Sequence, residues 1–349
     1  MQLEVVIAVG FFLLIGIETT VSWAHNLRAY EFRDTVANFA LALGDLFMAA
    51  AMKAVFLLLF AFLHRYAPVD LGLAWYSWVL LVLVNDFIYY VFHRLGHRCR
   101  FMWAFHVTHH SSQKYNFSVA IRLNLFILPL HFLFMLPLAL LGFRPEAILA
   151  INSITTLYQL WVHTELVGSL GVLDRIFNTP SNHRVHHGSN PQYLDRNYGA
   201  MFIFWDHLFG TYEPEVEAPV YGLTKNVDSY NPVTLTLHEV RAMVRDVARP
   251  GPLHHRLRYL FGPPGWQPAT APRSVRWPVL RRALLLRSPQ RRARTAERSA
   301  PAPLPLQLSR YRHAPRPLRP GQKRSRGRRS LDPRTPPAAS YRRRRPAGA

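Results

Sequence analysis

Histidines with metal-binding spacing are concentrated in two short segments of this 349-residue sequence. The segment HRLGHRCRFMWAFHVTHH, residues 93–110, contains five of them, and TPSNHRVHHGSN, residues 179–190, repeats the His-x-x-His-His spacing. Because the chain has 17 histidines, one such pattern should arise by chance roughly 0.04 times per sequence. Two copies, together with His93-x-x-x-His97, therefore indicate a metal site. Imidazole binds zinc, copper, iron and nickel, so the ligand type alone leaves the metal open.

The spacing within each cluster places its histidines on a shared helix face. His93 and His97 are four residues apart, and the other histidines follow spacings of three and four, which bring side chains to one side of an α-helix. On one straight helix, however, His106 would lie about 220° round from His93. The spacing therefore predicts a break between Gly96 and His106, so that two short helical pieces face a common centre.

The number of clustered imidazoles favours two metal ions, because eight exceed what one ion takes. The candidate ligands are His93, His97, His106, His109, His110, His183, His186 and His187. There is no His-Glu-x-x-His, which argues against a membrane zinc protease.

Asp86 is the candidate catalytic residue outside the histidines. It lies seven residues before His93, two turns up the same helix face, and charged groups inside membrane helices are costly and usually functional. We expect its carboxylate to accept the second N–H of His93 or His97 and fix the tautomer. The alternative is a structural hydrogen bond to Tyr90 or to a neighbouring helix.

For other polar residues near the clusters, a structural role competes with or outweighs a role at the site. His131 lies inside an apolar block and is expected to be a packed or interhelical histidine, and His207 is not expected to be a ligand. Asn182, Asn197 and Asp206 either orient ligands or stabilise the fold, and Asn182 is expected to cap a helix near Thr179-Pro180.

Apolar blocks must position these residues, and each is close to the roughly 20 residues that a membrane-crossing helix needs. The blocks are residues 3–24, 39–63, 73–92, 121–143 and 147–162. The first lacks a basic leading segment, so we interpret it as a retained membrane helix rather than a signal peptide. The last two, joined by GFRPE, should form a hairpin that separates the histidine clusters in sequence and reunites them in space. Arginines beside both clusters place the site on the cytosolic face.

Basic residues are concentrated at the C-terminal end. Residues 271–349 hold 23 Lys/Arg and 2 Asp/Glu, a net charge of +21 out of +22. We predict a membrane-embedded catalytic domain over residues 1–262, ending at FGPPGW, and a disordered Arg/Pro-rich tail over 263–349, because the tail lacks periodicity. The tail is compatible with binding anionic lipid headgroups, less so with nucleic acid, and also with an out-of-frame translation product. The single cysteine, Cys99, leaves no internal disulfide.

The three histidine boxes resemble those of the membrane fatty acid hydroxylase/sterol desaturase superfamily. The resemblance covers about residues 80–215 and includes DFIYYVFHRLGH, HHSSQKYNFSVAIR, WVHTELVGSLGVLDRIFNTPSNHRVHHG and DRNYGAMFIFWDHLFGTYEPE. It implies an all-α, polytopic membrane bundle with a cytosol-facing site, two iron ions and O2-dependent oxidation of a membrane lipid. It also implies His163, in WVHTE, as a ninth ligand.

These segments are most similar to a branch of the superfamily that cleaves ether lipids with tetrahydrobiopterin. That similarity implies an alkylglycerol ether as substrate and the pterin as a further cofactor. The branch has a glutamate where this chain has Arg98, and an arginine there could pair with lipid phosphate. No G-x-G-x-x-G fingerprint is present, so electrons must come from a separate reductase or a diffusible donor.

Two alternatives stay open at this point. One is a sterol or fatty-acyl hydroxylase or desaturase of the same superfamily, and the other is a histidine-lined membrane metal transporter. A transporter would place its ligands at mid-membrane in broken helices, whereas here the boxes cluster at one face, with Glu18, Asp45 and Asp86 scattered singly.

Overall fold

The structure, a computed structural model, describes residues 2–268, and the regular structure in this range is helical. The helices are α1 (Gln2–Ala24), α2 (Phe32–His64), α3 (Trp75–Arg98), α4 (Arg100–His110), α5 (Phe117–Ala120), α6 (Ile127–Leu140), α7 (Pro145–Trp161), α8 (Pro180–His187), α9 (Phe204–Leu208), α10 (Pro232–Val247) and α11 (Leu253–Phe261). A 3₁₀ turn spans Gly171–Arg175. Across these residues, strand-like pairing is limited to two isolated bridges. The helical part of the predicted fold class is confirmed here, and the predicted tail from residue 269 onward lies outside the described residues.

Two helices, α2 and α3, are long and apolar enough to cross a membrane. With 33 and 24 residues, they are about 50 and 36 Å long at 1.5 Å per residue, against a hydrocarbon core of about 30 Å. Residues Val9–Ala24 of α1 and helix α6 are apolar but shorter. The fourth predicted block, residues 121–143, becomes helical only at Ile127, because residues 121–126 form a turn in which the Asn124 side chain accepts the backbone N–H of Phe126.

The break between α3 and α4 lies at Cys99, as the histidine spacing predicts. Cys99 is extended, with φ −118° and ψ 120°, and the backbone N–H of Arg100 donates instead to the carbonyl of Gly262, at 2.9 Å. The FGPPGW segment thus contributes to the break. Gly96 lies beside the ring of His106, which a Cβ there would meet at 3.4 Å, about van der Waals contact.

Helices α6 and α7 form the predicted hairpin, and it packs against α2. The turn contains Gly142 at φ +98°, where a Cβ would lie 2.1 Å from the carbonyl oxygen of Val69. The core at this interface is made of buried residues from α2, α3, α6 and α7, among them Phe56, Phe60, Leu81, Phe132, Met135, Leu138, Ile148 and Ile151. The hairpin returns the chain to the end of the bundle where α4 lies.

A buried polar network joins the first part of α2 to the end of α4. The Arg122 side chain is 1% exposed and donates to Asp34 at 3.1 Å and to Asn38 at 2.6 Å. Arg122 also donates to the carbonyl of Thr108, and Ser112 donates to Asp34. These bonds hold the last turn of α4, which carries two of the histidines.

Replacing Arg122 by alanine should lower the free energy of unfolding by about 3–5 kcal/mol, because the buried Asp34 carboxylate loses its cationic partner. Unfolding of the purified protein in mixed detergent micelles measures the change. Arg144→Ala is the matched control, since Arg144 pairs with Asp70 where the side chains are 41% and 46% exposed, and it should alter stability little. Equal losses in the two variants would contradict this role for Arg122.

Candidate metal centre

Nine buried histidines converge in two groups. The larger group contains His93, His97, His106, His110 and His186, and the smaller group contains His109, His163, His183 and His187. Within each group, one ring nitrogen from every member lies within 4.8 Å of the others. The nine residues that the sequence predicts as ligands are the members of these two groups, including His163, which the spacing of the boxes does not reveal.

Two of the three boxes contribute to both groups, whereas His93 and His97 of α3 both lie in the larger group. Helix α4 directs His106 and His110 into the larger group and His109 into the smaller one, and α8 directs His186 into the larger group and His183 and His187 into the smaller one. The rings of His110 and His187, which belong to different groups, stack with centroids 4.4 Å apart. The groups therefore adjoin each other as parts of one centre.

The nitrogen separations fit metal coordination. Nε2 of His106 lies 3.0 Å from Nε2 of His93 and 3.1 Å from Nε2 of His110. In the smaller group, Nε2 of His163 lies 3.2 Å from that of His109 and 3.0 Å from that of His183. Two nitrogens bound at about 2.1 Å and at right angles to each other would be about 3.0 Å apart.

Hydrogen bonds to backbone carbonyls determine the tautomers of three ligands. Nδ1 of His93 donates to the carbonyl of Tyr198 at 2.9 Å, and Nδ1 of His186 donates to that of Arg196 at 2.9 Å. Nδ1 of His163 donates to the carbonyl of Gln159 at 2.7 Å. Because a neutral imidazole has one N–H, the Nε2 atom of each ring presents a bare lone pair to its group.

Burial keeps these imidazoles neutral. It lowers the pKa of His163 to about 3, and it lowers the pKa of His183 and His187 well below the usual value. Nε2 of His97 and Nε2 of His187 are buried without a hydrogen-bond partner. Converging neutral lone pairs, some of them unsatisfied, are the donor set that a divalent cation requires.

Asp86 forms hydrogen bonds with a loop beside the site and not with the ring of a histidine ligand. Its carboxylate accepts the backbone N–H of Met201 at 2.8 Å and the indole N–H of Trp205 at 3.0 Å. The expected bond to His93 or His97 is wrong, because the Asp86 carboxylate accepts these loop donors, and the Nδ1–H of His93 donates to the carbonyl of Tyr198 instead. Asp86 therefore fixes the segment that follows this carbonyl, and its assignment as a catalytic residue stays a prediction.

Asp206 holds the same segment from its other end. Its carboxylate accepts the backbone N–H groups of Tyr198 and Gly199, each at 2.8 Å, and the hydroxyl of Thr211 at 2.6 Å. Burial raises the pKa of Asp206 to about 6. The backbone at Tyr198 is thus held between two buried carboxylates.

The asparagines also stabilise the backbone around α8. Asn182 does not cap this helix, because it is the third helical residue and donates to the carbonyls of Asp174 and Phe177. Asn197 lies at φ +55° and donates to the carbonyls of Asn182 and Glu213.

A buried ion pair links α8 to the segment after His163. Arg184 pairs with Glu215 at 2.7 Å, with side chains 1% and 3% exposed. Its guanidinium also donates to the carbonyls of Thr164 and Val167 at 3.0 and 2.6 Å. Two ligand-bearing segments are thereby joined beside the smaller group.

Glu18 of α1 reaches the same segment, a role that its isolated position in the sequence does not indicate. It is 1% exposed and accepts the backbone N–H of Phe117 at 2.7 Å, the hydroxyl of Tyr30 at 2.5 Å, and the hydroxyl of Thr164. Because Thr164 follows His163 directly, Glu18 positions the backbone of a predicted ligand.

Three further residues lie outside both groups. His131 packs between helices, with its ring 5.5 Å from Tyr89 and 5.0 Å from Phe92, as expected for an interhelical histidine. His207 is exposed and contacts the ring of Tyr212. Arg98 pairs with Asp195 at 2.8 Å at the end of α3.

Comparison with known proteins finds a family match over part of the chain. Residues 78–211 match the fatty acid hydroxylase family. This segment is 134 of the 349 residues and holds all nine histidines. The resemblance to this superfamily is confirmed.

Several individual proteins are similar to this chain. The chain is 35% identical to alkylglycerol monooxygenase of Xenopus tropicalis over 266 residues, which are 74% of this chain and 58% of that protein. It is 42% identical to alkylglycerol monooxygenase of Homo sapiens over 203 residues, 58% of this chain and 44% of that protein. Ornithine lipid hydroxylase OlsE of Rhizobium tropici is 30% identical over 160 residues, 43% of this chain and 46% of that protein. The chain therefore spans about half the length of the curated relatives it matches, and no solved structure matches it.

Replacing one histidine from each group tests the metal centre. His186→Ala and His183→Ala should each reduce the iron that the purified protein binds, because each removes a buried donor from one group. Metal analysis of the purified variants measures the loss. His131→Ala is the control and should keep its iron, because His131 belongs to neither group. Full iron content in both His186→Ala and His183→Ala would remove these residues from the centre.

Glu18→Leu should deplete the smaller group selectively, because three donors lose their acceptor beside His163. Iron content should fall relative to the unchanged protein, and Glu18→Gln, which keeps a carbonyl acceptor, should retain more iron. Thr20→Val on the same helix is the control, since the Thr20 hydroxyl bonds only the carbonyl of Gly16, one turn before it. Unchanged iron in Glu18→Leu would show that α1 does not position the ligand.

Proposed function

We propose that this chain is an O2-dependent lipid hydroxylase with two iron ions, acting on the ether-bearing carbon of an alkylglycerol. The observation that carries the proposal is the pair of adjoining histidine groups, which offers nine buried nitrogen donors. The similarity to alkylglycerol monooxygenases and to a lipid hydroxylase supports the substrate class.

The histidines of the larger group would hold one iron and those of the smaller group the other. When bound, the irons supply the redox chemistry that O2-dependent oxidation of an unactivated C–H bond needs. In the overall reaction one oxygen atom enters the C–H bond, and the other leaves as water with two electrons and two protons from a donor. At an ether-bearing carbon the product is a hemiacetal, which breaks down to an aldehyde and glycerol.

The protein's own contribution is to hold the ligands and keep them neutral. The carbonyls of Tyr198, Arg196 and Gln159 keep protons on the Nδ1 atoms and leave the Nε2 atoms free. Asp86 and Asp206 fix the backbone that presents the first of these carbonyls. Such fixed outer partners orient metal-binding histidines and raise their basicity.

The proposal places the chain in a membrane as a multi-pass protein, with the centre on the cytosolic face. Helices α2 and α3 are the candidate crossing helices. The two histidines of α3 lie in its last two turns, whereas Trp75 and Tyr76 at its other end are 77% and 58% exposed, as in an interfacial aromatic belt. Ligands at one end of a crossing helix favour a lipid oxygenase over a transporter with a mid-membrane site.

The surroundings of Arg98 favour a neutral glycerol ether over an intact phospholipid. The Arg98 guanidinium is 57% exposed but already paired with Asp195 at 2.8 Å, so its charge is partly compensated. Electrons would come from tetrahydrobiopterin or a separate reductase, since the alkylglycerol monooxygenase resemblance implies the pterin.

Membranes that contain the protein should release aldehyde from an alkylglycerol, in a reaction that needs O2 and tetrahydrobiopterin. Sterol and fatty-acyl substrates are supplied in parallel, and His186→Ala membranes serve as the inactive control. Oxidation confined to the sterol or acyl substrate would overturn the ether-lipid assignment. Turnover without the pterin would keep the hydroxylase and replace its electron donor by a reductase.

A further inference from the structure

An exposed apolar surface lies outside the candidate crossing helices, on the segments that surround α8. It consists of Leu170, Val172, Leu173, Ile176, Leu208 and Phe209, which are between 38% and 70% exposed. We call these six residues the loop patch. Neither the metal centre nor the core of the bundle uses them.

A buried carboxylate stabilises the first half of the loop patch, which is the part within residues 170–176. Asp174 is 8% exposed, and its carboxylate accepts the backbone N–H groups of Leu170 and Gly171 at 2.9 and 3.1 Å. It also accepts the hydroxyls of Ser169 and Thr179, each at 2.5 Å. These bonds turn the only acidic side chain of residues 170–176 inward, while the apolar side chains point outward.

The second half of the loop patch, Leu208 and Phe209, lies against the first half. The backbone N–H of Ile203 donates to the carbonyl of Ile176 at 3.0 Å, and Phe177 forms an isolated bridge with Phe202. Helix α9 begins directly afterwards and ends at Leu208, which is 68% exposed. The two halves are therefore joined through backbone hydrogen bonds.

The loop patch continues the apolar surface of α3. The ring of Phe87 lies 4.9 Å from that of Trp205 and 6.1 Å from that of Phe209. One turn before Phe87 on α3, Leu83 is 39% exposed, and Leu80 is 45% exposed. An apolar surface thus extends from the outer face of a candidate crossing helix, over α9, to the 3₁₀ turn.

We propose that the loop patch inserts into the hydrocarbon of the bilayer beside α3, so that the partner of this surface is lipid. A continuous apolar surface that adjoins a crossing helix lies where acyl chains would contact it. Arg175 is exposed and lies in sequence between Leu173 and Ile176 of the patch, and its long side chain can extend its guanidinium to phosphate headgroups. The inference rests on the membrane placement of α3 in the proposed function.

Insertion would bring lipid next to the metal centre. The patch residues are attached to α8 through Asp174 and Thr179, and Thr179 directly precedes the first residue of that helix. On the other side, Asp206 of α9 holds the backbone of Tyr198, whose ring lies 5.3 Å from that of His97. The same hydrogen bonds that hold the ligands therefore hold the surface in contact with the membrane.

The test is site-specific fluorescence quenching of the full chain in phosphatidylcholine vesicles. Cys99 is first replaced by serine, and single cysteines at 172, 208, 80 and 194 carry a bimane label. Nitroxide-labelled phosphatidylcholine is the quencher. Leu80→Cys reports on α3 itself. Leu194→Cys is the exposed control, because Leu194 precedes Asp195, which pairs with Arg98 at the far end of α3.

Labels at 172 and 208 should be quenched several-fold more than the label at 194, and to an extent similar to the label at 80. Quenching at 80 without quenching at 172 and 208 would overturn the loop patch and leave the placement of α3 intact. No quenching at 80 would overturn that placement and the proposal with it. Labels at 172 and 208 that report an apolar environment but resist lipid quenching would assign the surface to a second copy of the chain instead.

Discussion

The interaction on which the rest of the structure depends is the convergence of unprotonated imidazole nitrogens at separations near 3 Å. Bare lone pairs at this distance repel one another unless a cation lies between them, and burial removes the water that would otherwise solvate them. The fold must therefore hold the rings in place while they are neutral. It does so from outside, with backbone carbonyls that keep the protons of His93, His163 and His186 away from the centre.

The carbonyls must themselves be held, and buried charged groups perform that task. Asp86 and Asp206 bind the backbone around Tyr198, and Glu18 and Arg184 bind the segment after His163. Each of these charges is expensive to bury, and each is compensated by backbone groups, hydroxyls or an opposite charge. They connect α1, α3, α8 and the loops into one frame, which explains why acidic residues that look isolated in the sequence lie near the same centre.

Spacing alone predicts much of this arrangement. Spacings of three and four residues predict that the histidines of each box share a helix face. Because His106 would point away from His93 on one straight helix, the spacing also predicts the break that the structure has at Cys99. The last two apolar blocks predict the hairpin of α6 and α7. The division into groups of five and four does not follow from spacing, because α4 and α8 each direct neighbouring histidines to different groups.

The hydrogen-bond partners of Asp86 could not be predicted from the sequence either. They lie more than a hundred residues away, at Met201 and Trp205, and helix periodicity carries no information about such distant loop contacts. The start of α6 is also not predicted. Hydropathy extends the fourth apolar block back to residue 121, and it does not show that a side chain such as Asn124, which accepts the backbone N–H of Phe126, delays the helix until Ile127.

The two halves of the centre differ in their surroundings. Tyr115 is 1% exposed, packs against His163 and His187, and stacks on Tyr221 with ring centroids 4.8 Å apart, so aromatic rings enclose the smaller group. The larger group is bordered by the half-buried ring of Trp103, 5.2 Å from that of His97, and by the buried ring of Tyr198, 5.3 Å from that of His97. Because water and polarity around a metal tune its chemistry, these surroundings would give the two groups different properties. The groups also differ in their ligands, since one has five histidines and the other has four.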